Sequence, residues 1–111
     1  MAIADTDAER QQGLMGVTRL PDNHGMAFVW DAPTDGSFWM KDTLIPLSIA
    51  FVGSDGKIVT LQDMTPCTED PCPTYAATSP YVTAYEANAG WFDAHNIEVG
   101  DEVGLTQQAC S

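Results

Sequence analysis

The stretch that decides the fold runs Ser48-Ile49-Ala50-Phe51-Val52, then Gly53-Ser54-Asp55-Gly56, then Lys57-Ile58-Val59-Thr60-Leu61. Its two flanks are rich in the β-branched and aromatic side chains that pack well on a pleated sheet. The four residues between them are turn formers, with glycines able to take positive φ. This is a β-hairpin. Pro46, just ahead of it, lacks an amide hydrogen and marks a strand start or an edge.

Working outward, the same grammar recurs. Met26-Ala27-Phe28-Val29-Trp30 is another strand, and Asp31-Ala32-Pro33-Thr34-Asp35-Gly36 has the composition of a turn. Ser37-Phe38-Trp39-Met40-Lys41 then reads as the partner strand of a second hairpin. Downstream, residues 65–80 form a long proline-rich loop, and loops of that length are usually functional or disordered. Strand alternation resumes at Tyr81-Val82-Thr83-Ala84-Tyr85-Glu86. Gly90-Trp91-Phe92-Asp93-Ala94-His95 suits a short helical turn, and 101–106 a last strand entered through Val99-Gly100-Asp101.

At the other end, Met1-Ala2-Ile3-Ala4-Asp5 reads as a strand running into a helix. Thr6-Asp7-Ala8-Glu9 is a capping box, and the helix it opens ends near Gly16. Asp22-Asn23-His24-Gly25 belongs to a connecting loop. One N-terminal helix followed by short antiparallel strands predicts a mainly β fold, a β-sandwich or barrel. A single domain over 1–106 with a tail at 107–111 is expected.

Charge narrows the function. Sixteen acids face only Arg10, Arg19, Lys41 and Lys57, a net charge of −12. Nucleic-acid binding needs clustered cations that displace counterions from phosphates, so no nucleic-acid partner is expected. The same field repels anionic lipid, and no apolar run is long enough for membrane insertion. A monomer is expected. Because the chain begins inside a structured segment, a precursor carrying a signal peptide ahead of it is expected.

Cys67 and Cys72 bracket a short loop in Pro66-Cys67-Thr68-Glu69-Asp70-Pro71-Cys72-Pro73. Cysteines at both ends of such a loop predict a disulfide and a secreted or extracytoplasmic location. Cys110, the odd thiol, is left free or intermolecular.

Several blocks also resemble a known pattern. Gly13-Leu14-Met15, Gly25-Met26-Ala27-Phe28, Phe38-Trp39-Met40-Lys41-Asp42-Thr43 and Ile45-Pro46-Leu47-Ser48-Ile49-Ala50-Phe51 occur in that order. Glu86-Ala87-Asn88-Ala89-Gly90 and Val99-Gly100-Asp101 extend the likeness to about residue 105. The chain resembles the bacterial and archaeal family called domain of unknown function 192. The resemblance implies a compact β domain of sandwich or jelly-roll type, often behind a signal peptide, and it implies no activity. Many relatives carry an aspartate where this chain has Ser48, which argues against carboxylate chemistry there. The block holding Cys67, Cys72 and Tyr75 resembles one branch of that family.

Several constellations bear on chemistry. Glu69-Asp70 and Asp101-Glu102 are neighbours in an acidic chain and read as solvated charge. Cys67 and Cys72 with His24 or His95 lack a second pair to close a zinc site. Met15, Met26, Met40 and Met64 have the soft thioethers copper(I) favours, yet such methionines usually fill cores. No metal and no cofactor are expected. Neither a Gly-x-Ser-x-Gly elbow nor a thioredoxin-type cysteine pair is present.

The remaining constellation is aromatic and cationic. Two-residue alternation puts Trp39 and Lys41 on one strand face and Phe38 and Met40 on the other. Thr43 continues the first face, Tyr75 in the clipped loop covers it, and Glu86 is a carboxylate partner for Lys41 or for a ligand hydroxyl. A tryptophan platform with polar neighbours suits a small molecule, glycan or peptide. The competing reading makes Trp39 core, with Lys41 snorkelling to water. Three functions therefore stand: an extracytoplasmic binding or accessory domain, an enzyme of unrecognised chemistry, or an assembly module.

Overall fold

The computed structural model of the chain describes residues 2–21, 24–67, 69 and 71–103. Its strands are β1 (Ala2–Ala4), β2 (Gly25–Thr34), β3 (Phe38–Trp39), β4 (Leu47–Val52), β5 (Ile58–Met64), β6 (Thr74–Tyr75) and β7 (Tyr81–Asn88). Two short helices join them, α1 (Asp7–Gln12) and α2 (Trp91–Ala94). None of the described helices is long and apolar enough to cross a membrane.

The strands form a five-stranded sheet in the order β1-β2-β7-β4-β5 and a two-stranded sheet, β3-β6. The mainly β expectation holds, and the sheets do not close into a barrel. The hairpin quoted first is β4–β5, in register from Leu47 opposite Met64 to Val52 opposite Ile58. Gly56 turns it at φ +81°, a conformation that side chains with a Cβ rarely adopt. Pro46 immediately precedes β4, as a strand start.

The second expected hairpin does not form. β2 continues through Asp31, Ala32 and Pro33, and it pairs with β7 rather than with residues 37–41. Pro33 is tolerated because it lies in the register shift between Val29 and Thr34, where the regular ladder is interrupted. The slot beside β2 goes to β7, an eight-residue strand that offers far more buried surface than the segment around Phe38. That segment instead pairs with Thr74–Tyr75 inside the 65–80 stretch, which is therefore not loop throughout.

β1 and β2 run parallel, although antiparallel strands were expected. A parallel pair needs a crossover, and α1 with the residues after it supplies one. The capping box forms: Thr6 Oγ1 accepts from the Glu9 amide, and Glu9 Oε1 accepts from the Thr6 amide, each at 3.2 Å. Of the expected last strand, Glu102 makes an isolated bridge to Lys57, and 104–106 lie outside the described residues, as does Cys110.

Each face of the large sheet carries its own core. One holds Phe28, Leu47, Ile49, Phe51, Ala84 and Tyr81, covered by Leu14, Met40 and the small sheet. The other holds Ala27, Ala50, Val52, Tyr85 and Ala87, covered by Phe92 of α2. β4 is buried along its whole length, as a central strand between two covers should be. Met40 and Met64 are 1% exposed and fill the first core.

Candidate functional site

The first core is not sealed everywhere. Between α1, β2 and the 34–39 segment lies a cleft of about 310 Å³. Its walls are aromatic because β2 and β7 send Phe28, Trp30 and Tyr81 toward the segment that carries Phe38 and Trp39. These rings meet edge to face, with centroids 5.1 Å apart for Phe28–Phe38 and 5.2 Å for Trp30–Tyr81. Edge-to-face packing sets the electropositive rim of one ring against the electron-rich face of the next, which fixes the walls. Gly13, at φ +49°, ends α1 against Phe28, where a Cβ would come within 3.3 Å of the ring.

Glu86 lines this cleft and is only 4% exposed. Alternation along β7 puts it on the same face as Ala84, and its cross-strand neighbours are Met26 on β2 and Ile49 on β4. Neither neighbour's side chain can donate a hydrogen bond. The polar groups nearby are engaged elsewhere. Tyr81 donates its hydroxyl to Gly36 O at 2.6 Å, Thr43 Oγ1 to Lys41 O at 3.4 Å, and Asn88 Nδ2 to Leu20 O at 2.7 Å. Arg10 donates to Val29 O at 2.7 Å, pairs with Asp7 at 2.8 Å, and stands 5.4 Å from the Trp30 ring centroid. Among the described residues no donor or cation reaches Glu86, and burial alone pushes its carboxyl from 4.5 up to about 7. Tyr81 is pushed up to about 12, first by burial and then by the charge of Asp35.

The residues singled out from sequence divide between two places. Trp39 is 47% exposed, so it is not core, and the Lys41 ammonium lies 5.4 Å from its ring centroid. Phe38 and Met40 point the other way, into the first core. Trp39, Thr43 and Glu86 share the cleft. Lys41 and Thr43 line a neighbouring hollow beside Cys67 and Cys72. Tyr75 pairs with Phe38 across the small sheet and accepts from the Thr65 amide at 3.4 Å, so it backs the wall rather than lining the cleft. No ion pair joins Glu86 to Lys41 among the described residues. Cys67 and Cys72 form a disulfide, with Cα atoms 5.7 Å apart.

Arg10, Trp30 and Tyr81 escaped sequence reasoning because only the β2–β7 pairing brings them to Trp39. Arg10 carried a faint signal: it lies one turn after the Thr6 cap, in a chain with four basic side chains. Among the described residues no three His, Cys, Asp or Glu side chains are grouped to hold a metal.

Comparison with known proteins agrees with this architecture. A crystal structure of a protein of unknown function from Novosphingobium aromaticivorans matches with a TM-score of 0.83 at 36% identity. The match covers 90% of this chain and 70% of that one. A Sinorhizobium meliloti protein, described as a "putative transcription regulator", matches with a TM-score of 0.82 at 31% identity. There the match covers 90% of this chain and 76% of the other. Among curated proteins none matches. The family model described as Uncharacterized ACR, domain of unknown function 192, matches residues 1–105. The chain belongs to that family.

Proposed function

We propose that this protein is a small-molecule binding domain whose ligand enters the aromatic cleft and reaches Glu86. One observation carries the reading: the Glu86 carboxyl, 4% exposed on an otherwise apolar sheet face, opens into a cleft and meets no donor or cation among the described residues. Burying an unpaired carboxyl costs several kcal/mol when it is ionised, on the order of a sizeable fraction of a domain's stability. A fold that keeps such a group fits a role in which something else supplies the partner. The cleft volume sits at the small end for ligand pockets, roughly 300–1,000 Å³, which favours a small molecule over an extended glycan or peptide. Trp39, half exposed at the rim, adds a flat apolar surface.

The disulfide supports an oxidising, extracytoplasmic setting, since reducing cytosol disfavours such bonds. The acidic balance argues against carrying over the transcription-regulator description of the Sinorhizobium relative, because phosphate neutralisation needs clustered cations. An enzymatic reading has less support. Neither His24 nor His95 lines the cleft, and the titratable groups that line it with Glu86 are committed elsewhere, Asp7 to Arg10 and the Tyr81 hydroxyl to Gly36 O.

A fragment screen by amide-resolved NMR tests the proposal on three proteins: wild type, Trp39→Ala and Glu86→Gln. The expected result is a ligand that shifts resonances of Trp30, Phe38 and Glu86 and binds both variants at least tenfold more weakly. Ligands that shift only residues far from the cleft, with both variants unaffected, would remove the cleft from consideration.

A further inference from the structure

We propose that the ligand of this cleft is an organic cation, a primary ammonium on an apolar or aromatic body, with the ammonium paired to Glu86. The inference rests on the cleft reading above and names its chemical class. Three observations select the class.

The first is the unmet need of Glu86. Met26 and Ile49 stand on either side of the carboxyl, and neither a countercharge nor a donor reaches it among the described residues. A ligand hydroxyl would bring one donor and no charge. An ammonium brings three donors and the compensating charge, and charge-assisted bonds are roughly twice as strong as neutral ones. A ligand carboxylate would add like charge where burial already disfavours it.

The second observation is the surroundings of the ammonium's path. Asp7 and Arg10 stand at the cleft on α1 and pair with each other at 2.8 Å, and the charge of Asp35 reaches Tyr81 on the opposite wall. Arg10 also shows that Trp30 accepts a cation against its ring, at 5.4 Å from the centroid. The faces and edges of Phe38 and Trp39 supply the apolar contact for the ligand body.

The third is the field of the whole chain. With a net charge of −12, the surface attracts cations and raises their local concentration, and it repels anions.

The proposal has a proton signature. Among the described residues the titratable or charged groups that line the cleft with Glu86 are Asp7 and Arg10 from α1 and Tyr81 from its own strand. Its neighbours on β2 and β4 do not titrate, and Lys41 lies over Trp39 toward the other hollow. In the free protein burial holds the Glu86 proton until about pH 7. Pairing with an ammonium favours the ionised form, so binding releases that proton wherever Glu86 still holds it. Affinity should therefore rise with pH up to about 7 and level off above, falling about tenfold per unit below.

Two isosteric probes test this: phenethylammonium chloride and 2-phenylethanol, titrated into labelled protein at pH 8 and pH 6 and followed by NMR. The ammonium should bind wild type at least tenfold more tightly than the alcohol at pH 8, and about tenfold more weakly at pH 6 than at pH 8. Glu86→Gln should erase both the preference and the pH dependence. If the alcohol binds the cleft as well as the ammonium does, the cation class is wrong and the cleft reading survives. If neither probe moves cleft resonances, the cation class is overturned, and the wider fragment screen then judges the cleft itself.

Discussion

Glu86 sits between Met26 and Ile49 with its carboxyl raised from 4.5 to about 7 by burial, and this couples folding to pH. Below pH 4.5 the folded and unfolded chains both hold the proton, and the group costs nothing. Between 4.5 and 7 the unfolded chain has released it while the folded chain keeps it, so stability falls as pH rises. Above 7 the penalty is constant at about 3 kcal/mol. Glu86→Gln, which cannot ionise, should match wild type in urea unfolding at pH 4 and exceed it by about 2–3 kcal/mol at pH 8. Trp39 and Met40 make a second contrast, being 47% and 1% exposed. Thermal or urea unfolding should find Met40→Ala destabilised by about 2–5 kcal/mol and Trp39→Ala by less than about 1 kcal/mol. That difference was legible in the sequence as strand alternation. The burial of Glu86 was not. A glutamate in a strand reads as solvent-facing until the strand is known to be central, and β7 became central only by pairing with both β2 and β4.

At the scale of elements, local grammar was readable and partner choice was not. The β4–β5 hairpin is encoded by turn residues adjacent to the strands they join, so its register follows from a few neighbours. The capping box of α1 is equally local. The turn-like run after Trp30 misleads because its composition says only that a turn is allowed there. Whether the chain folds back is decided by β7, some fifty residues on, which buries more apolar surface along β2. The small sheet is held from outside its two-residue ladder by the Lys41–Cys67 bridge and the Cys67–Cys72 disulfide. The loop enclosed by that disulfide is short, so chain entropy assigns it about 2 kcal/mol. The double change Cys67→Ser and Cys72→Ser should lower stability by about that much. Alkylation without reductant should leave both wild-type thiols unmodified by mass spectrometry, and full modification would disprove the bond in solution.

For the molecule as a whole, two features shape what it meets. One is a sheet with a core on each face, the first of which opens into the aromatic cleft. The other is a net charge of −12, which should abolish measurable affinity for duplex or single-stranded DNA near physiological salt. A salt-sensitive shift with micromolar protein would overturn that expectation. The binding reading joins the two features through one group, the unpartnered carboxyl at the cleft, set in a field that gathers cations. Its state in the free protein is therefore the most direct test. The carboxyl carbon of Glu86, labelled with carbon-13 and assigned through Glu86→Gln, should titrate with a midpoint near 7 in the free protein. A midpoint in the ordinary carboxylate range near 4.5 would mean that water or a donor already satisfies the group, and would contradict the account.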